Sequence, residues 1–303
     1  MKNFIILTLF VCLFASCEKS LMVEEPNWDI QLSNARSKNG NTFVFKLGDT
    51  CKYTATGDAN TIITYPGTAG FAYANKNRTS AVGEPSLQFT SYAQFGVQTN
   101  TLKLLASNNL TALDSASVVN ASWIDITNRA ILSNGTDNTA SGKIVLSDLY
   151  VAGKPLYLAL KYNGVTGSTQ KTWAFKSFAV NNLLPDGSTV GITSLSDISW
   201  TVYGNVRTPA SGSWIATATQ IQVIGGTATA PTNESWAISK PLDLTKVAPD
   251  VSIPIKNLTS APLKNYTFQY TAVGKYKVVF IASNNTLNDD KQVMKEFDIE
   301  IIP

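Results

Sequence analysis

Cys17 is the first residue in this chain equipped for chemistry. It follows Leu13-Phe14-Ala15-Ser16 at the end of a short apolar run, Phe4 to Phe14, which Lys2 precedes. That run falls short of the roughly 20 residues a helix needs to cross a bilayer, so 1–16 reads as an export signal with a thiol at its cleavage point. A thiol placed there is a nucleophile that can be alkylated before the preceding peptide is removed. The second set of candidates is aromatic. Trp200, Tyr203 and Trp214 flank the polar stretch from Gly204 to Ser213, where a ring is less easily buried, and Arg207 lies between them. Aromatic faces accept the flat C–H patch of a pyranose while amides and carboxylates satisfy its hydroxyls, so these four residues are candidates for ligand binding. The competing reading has the aromatics closing one end of a barrel from within, and Arg207 as solvated surface.

Other chemistries are excluded or unsupported. The chain has no histidine, which removes Ser-His-Asp and Cys-His mechanisms, His-ligated zinc and the usual neutral-pH base. Two carboxylates would still suffice for glycoside cleavage, but no pair stands out by spacing, and no catalytic residue is assigned. The turns around Asp137, Asp186 and Asp197 lack the dense oxygen spacing of a calcium loop, so neither a metal nor a cofactor is expected. Of the 3 cysteines, Cys12 would leave with an export signal and Cys17 stands at its cleavage point, so only Cys51 remains in the folded body. A lone thiol makes no intramolecular disulfide, and Cys51 alternates with Tyr53 and Ala55 as a buried strand residue would. The net charge is +3, falling to +2 once Lys2 leaves with the signal, and the basic residues are scattered. A nucleic-acid partner is not expected.

The residues that must position these groups are strand formers. From Trp28 onward, short β-branched or aromatic runs alternate with Gly, Asn, Asp, Ser and Thr, as in Thr42-Phe43-Val44-Phe45, Lys143 to Leu146, Pro155 to Tyr162, and Tyr276 to Ala282. An all-β fold follows. The one exception is a turn of helix near Leu102 to Leu105. Within the strand runs, Trp123 and Trp173 each have an apolar neighbour at spacing two, Ala121 and Phe175, and read as core, while Tyr157 fits either face. With 303 residues and 44% hydrophobic composition the chain can bury two cores without disulfides. Residues 17–27 are polar, without periodicity, and read as a tether.

Several blocks resemble known families. Leu13 to Cys17 resembles the lipobox of bacterial lipoproteins, with Phe14 where Leu is commoner; the resemblance implies diacylglycerol on Cys17 and an acylated new N-terminus. Relaxed lipoboxes of this kind, and an acidic stretch such as Glu18 to Glu25, resemble those of Bacteroidetes surface lipoproteins. Leu47 to Thr54 followed by Thr61 to Gly67 resembles the opening half of a polycystic-kidney-disease (PKD) type, immunoglobulin-like sandwich. Tyr266 to Asn284, with Lys291 to Ile302, resembles its closing half. Joining the halves would bury two apolar faces and their open edges, giving one discontinuous sandwich over 28–82 and 234–303. Two separate immunoglobulin-like domains are the alternative. The insert, 83–233, is similar to choice-of-anchor J jelly rolls, themselves akin to carbohydrate-binding sandwiches. The matching blocks are Trp123-Ile124-Asp125-Ile126-Thr127, Ser141 to Leu146, Gly153 to Tyr162, and Trp173 to Val180. The last block departs at Phe175-Lys176-Ser177, where those modules read Ile-Asp-Asn, so no ligand role is carried over from that Asp. Asp114-Ser115-Ala116 resembles the Bacteroidetes O-glycosylation motif, making Ser115 a candidate modification site.

As a whole the chain resembles a family of Bacteroidetes lipoproteins catalogued as a domain of unknown function, often found beside glycan-uptake systems. That resemblance implies a non-enzymatic, lipid-anchored protein of the outer membrane, facing the cell surface. It would bind a glycan and contact surface protein partners of the uptake system. The rival readings are a structural or adhesive lipoprotein and a carboxylate-based glycoside hydrolase.

Overall fold

The structure, a computed structural model, describes residues 23–204 and 212–303. They form two compact units: one runs to Asn77 and resumes from Pro249 to Pro303, and the other is Arg78–Ala248. The first unit opens with β1 (Trp28–Leu32), β2 (Ser37–Asn39), β3 (Thr42–Lys46), β4 (Thr50–Gly57) and β5 (Thr61–Tyr65). The second unit begins with β6 (Glu84–Gln94), β7 (Leu102–Ser107), the helix α1 (Ser115–Asn120), β8 (Ile124–Asp125), β9 (Thr139–Ala140) and β10 (Ile144–Val145). It continues through β11 (Tyr157–Gly164), β12 (Thr172–Leu183), β13 (Thr189–Ser194), β14 (Thr201–Gly204), β15 (Trp214–Ala216), β16 (Ile221–Val223) and β17 (Asn233–Ile238). The first unit then closes with β18 (Ile253–Lys256), β19 (Asn265–Gln269), β20 (Gly274–Asn285) and β21 (Asp290–Ile302). The all-β expectation holds.

In the first unit a sheet ordered β1-β4-β19 packs on one ordered β18-β5-β20-β21-β3-β2. Alternation along each strand sends one face inward. Cys51, Tyr53 and Ala55 of β4 meet Val278, Phe280 and Ala282 of β20 in a single buried cluster. Phe280 sits at its centre, with ring centroids 4.9 Å from Tyr53, 5.8 Å from Tyr266 and 6.0 Å from Phe297. Gly57 requires its own residue type: it has φ +76°, and a Cβ there would lie 1.8 Å from the Asn27 carbonyl oxygen.

The packed body starts earlier than Trp28. The Val23 N–H donates to Asp289 Oδ2 at 3.0 Å, the Asn284 amide donates to the Glu24 carbonyl at 3.1 Å, and Pro26 is buried. Residues 23–27 are therefore fastened to the β20–β21 hairpin rather than belonging to a free tether, because their backbone groups find partners there. Cys17 and residues 18–22 lie outside the described residues.

Burial removes Cys51 from chemistry, pushing its thiol pKa up to about 12, with the Asp49 charge adding to the effect. The native protein is expected to leave an aromatic disulfide reagent unreacted at pH 8 and to consume one equivalent at Cys51 after unfolding in urea. Rapid labelling of the native chain at Cys51 would contradict this burial.

The second unit is also a sandwich. A seven-stranded sheet holds β10-β6-β12-β16-β15, with β13 on β12 and β9 on β6, and it faces a five-stranded sheet ordered β14-β17-β11-β7-β8. The core between them takes Leu104, Leu158, Leu160 and Tyr162 from one side and Leu87, Phe89, Phe175 and Val180 from the other. β12 carries a register shift between Lys176 and Ala179, and Ser177 has φ +52°. This bulge turns both Phe175 and Phe178 inward.

Two sequence expectations are corrected. β17 pairs with both β11 and β14, and Ala81 and Val247 are hydrogen-bonded to Thr245 and Thr79. Residues 78–82 and 234–248 therefore belong to the second unit, not to the 28–82 and 234–303 body. Leu102 to Leu105 is strand, not helix. Leu102 and Leu104 enter the inner core while Leu105 is buried on the outer face, which erases the period of two.

Candidate functional site

The four aromatic-loop candidates do not form one platform. Trp214 faces the interior, 6% exposed, with its ring 6.4 Å from Phe175. Trp200 is half-buried against the same core, edge-on to Phe178 at 5.2 Å. Tyr203 lies on the opposite, outer face of the five-stranded sheet, packed in a separate cluster. Burial and the nearby Asp114 charge raise its phenol pKa. Arg207 lies outside the described residues. A polar loop did not keep the rings outward because strand alternation decides their side, and Trp214 falls opposite Val223 on an inward position. Trp173 is core, donating its indole N–H to Thr101 Oγ1 at 2.9 Å.

The outer face of that five-stranded sheet carries the arrangement that sequence reasoning missed. Cross-strand register places Tyr203 opposite Trp236, Trp236 opposite Lys161, and Lys161 opposite Lys103. The adjacent outward row holds Ile238, Ala159, Leu105 and Asp125 in the same order. Over this face fold α1 and the segment that follows it. Asp114 caps α1, accepting the Ser117 N–H at 2.8 Å. Val118 then packs on Leu105 and Ile238. Trp123 donates its indole N–H to the Val118 carbonyl at 2.8 Å, which fixes its ring 5.5 Å from that of Trp236 at 42°. Trp123 is thus half-buried, not core. Tyr157 also lies on this outer face.

Between Trp123 and the sheet opens a hollow of about 470 Å³. Lys161 Nζ stands 4.6 Å over the Trp236 ring and 2.9 Å from Glu234 Oε2, and Trp236 donates to Glu234 Oε1 at 2.9 Å. Across the hollow, Lys103 Nζ is 3.0 Å from Asp125 Oδ2. Burial alone would raise both carboxyl pKa values. For Glu234 the bonds from Lys161 and Trp236 outweigh it, and for Asp125 those from Thr127 and Lys103 do, so both are held below their ordinary values. Asn163 completes the wall. The site offers apolar ring surface, a free amide, ion-paired carboxylates and no net charge.

Ser115, the candidate modification site, is exposed as the first residue of α1. The Asp turns are held by ordinary protein partners: Asp186 accepts from Ser188, Asp197 from Ser194, and Asp137 from the Asn138 N–H while also lying 3.7 Å from Lys176 Nζ. Among the described residues no group of three or more His, Cys, Asp or Glu is placed to hold a metal ion.

No curated protein and no solved structure matches this chain. A family profile does match, over residues 16–200, reaching from the residue before Cys17 through Trp123 and Lys161. That match spans more than half of the chain, which therefore belongs to the family described as domain of unknown function DUF5017.

Proposed function

We propose that this protein is a lipid-anchored cell-envelope protein whose second unit binds a glycan without cleaving it. The observation that carries the reading is the hollow under Trp123, where a half-exposed indole, the Asn163 amide and two carboxylates converge on one sheet face. A pyranose ring set on the indole would bury its C–H patch and leave its hydroxyls to the amide and carboxylates. Hydrolysis is disfavoured although Asp125 and Glu234 share the hollow. A glycosidase acid needs a raised pKa to hold its proton, and both carboxyls here are ion-paired and lowered. The N-terminal lipid and an outer-membrane, surface-facing location come from the lipobox resemblance, and partners in a glycan-uptake system from the family resemblance. The PKD-like and jelly-roll-like identities of the two sandwiches belong to the same proposal.

The test is a glycan array probed with the full mature chain in detergent, followed by calorimetry on any hit. Trp123→Ala is expected to weaken binding at least tenfold, equivalent to about 1.4 kcal/mol, while the protein stays folded by circular dichroism. Equal affinity of Trp123→Ala and wild type would remove this site from the reading. Silence across the array would favour the adhesive alternative, which has its own observation. Phe95 and Val97 are 75% and 78% exposed on a loop whose Val97 N–H bonds the neighbouring loop at Thr169.

A further inference from the structure

The hollow under Trp123 adjoins a second one. Asn163, near the end of β11, also lines a hollow of about 270 Å³, formed with Asn100, Thr101, Thr166 and Ser168 where the loops after β6 and β11 meet. Asn163 is common to the walls of both, so the two hollows lie side by side, one on the outer face and one at the end of the sheet.

The polar groups along these hollows divide into committed and free. Gln98 is committed: its Oε1 accepts the Val165 N–H at 3.0 Å and its Nε2 donates to Ser168 O at 2.9 Å, so it ties the two loops together. Thr101 Oγ1 accepts from Trp173. In the first hollow, Lys103 and Asp125 are paired, as are Lys161 and Glu234. The side-chain amides of Asn100 and Asn163, by contrast, have no hydrogen-bond partner among the described residues, and both are exposed. A free carboxamide presents a donor and an acceptor side by side, the pattern that adjacent sugar hydroxyls satisfy. Asn163 stands two residues along β11 from Lys161, about 7 Å at the rise of a strand, and Asn100 lies beyond it in the second hollow. A single ring held against Trp123 would leave that second amide unmatched.

The charges narrow the ligand further. Each lysine already faces a carboxylate at ion-pair distance, so an anionic sugar would gain its attraction only against the repulsion of Asp125 or Glu234. A ligand without charge leaves both pairs intact.

We infer that the two hollows together take a neutral oligosaccharide, running from Trp123 across Asn163 to Asn100, rather than a single sugar. This rests on the glycan-binding reading and adds the ligand's length and charge. Calorimetry on the full mature chain in detergent would use ladders of two to six units of xylo-, manno- and α- and β-linked gluco-oligosaccharides, with oligogalacturonides as the charged comparison. The expected result is a neutral series whose affinity rises at least tenfold between two and five units and then levels off. Asn100→Gly is the diagnostic variant, because Asn100 has φ +56° and glycine keeps that backbone unstrained. It should abolish the gain with length while leaving disaccharide affinity within twofold of wild type, whereas Asn163→Ala should lower both. Equal affinity for two and six units, an Asn100→Gly ladder identical to wild type, or tighter binding of the galacturonides would each overturn the inference while leaving a glycan site standing. If no oligosaccharide binds a folded protein, the glycan reading itself fails and takes this inference with it.

Discussion

Phe280→Ala is expected to destabilise the first unit by about 3–5 kcal/mol, the range for removing a fully buried phenylalanine from a core that cannot collapse around the gap. The ring is completely buried in mid-strand and packs edge-on to Tyr53, Tyr266 and Phe297, with Trp28 tilted 6.4 Å away. Its neighbours come from both sheets, so no single strand can shift to fill the space without breaking register on the other side. Natural domains hold a margin of about 5–15 kcal/mol, so the loss consumes a large share of it. Urea denaturation of wild type and variant measures the effect directly. A midpoint shift worth less than about 1.5 kcal/mol would mean that this packing relaxes freely.

The second large effect concerns Cys17→Ala. Wild-type protein is expected in the membrane fraction, released by detergent and heavier than its polypeptide by the attached lipid, while the variant should appear in the soluble fraction. Each buried methylene of an acyl chain adds about 0.8 kcal/mol of membrane affinity, so losing several chains changes the partition completely rather than by degrees. Among the described residues no helix is long and apolar enough to cross a membrane, leaving no helical span among them to retain the variant. Membrane association of Cys17→Ala equal to wild type, or an unmodified Cys17 in the mature protein, would defeat the anchored reading.

Strands rich in β-branched and aromatic residues were legible in the sequence. Thr42 to Phe45 and Tyr276 to Ala282 fall on strands of the structure, as does Pro155 to Tyr162 from Tyr157 onward, because such side chains fit a pleated surface whether one face or both are covered. Leu102 to Leu105 was misread because that strand is covered on both sides: the sandwich core takes Leu104, and the cluster under α1 takes Leu105. α1 itself is short, and its clearest sign is the Asp114 cap. The site was least legible. Trp236, Lys161 and Lys103 lie on three strands and meet only through register, which a linear pattern does not encode. Trp123 looked like a core residue because Ala121 lies at spacing two in a strand-like run, yet Asp125 stands at the same spacing on the other side, and the ring lies outside the strand that follows and lids an outer face. Trp214 was misjudged in the opposite direction: its polar surroundings are those of the loop, whereas its ring obeys the strand.

The fastening of Val23 and Glu24 to the hairpin between β20 and β21 bears on posture. On the proposed lipid anchor at Cys17, only Glu18 to Met22 would span the gap, and a chain that short reaches about 20 Å when fully stretched. The anchor is then a short mooring line rather than a long leash. On that proposal the first unit would stay near the bilayer, with its Thr286–Asp289 turn beside the point of attachment and Leu287, 99% exposed at that turn, placed to approach the surface. The opposite end of β20, at Gly274, stands twelve residues of strand away, about 40 Å at a strand's rise. A body moored this way would keep its attached end within reach of the membrane plane while lateral diffusion carries it along.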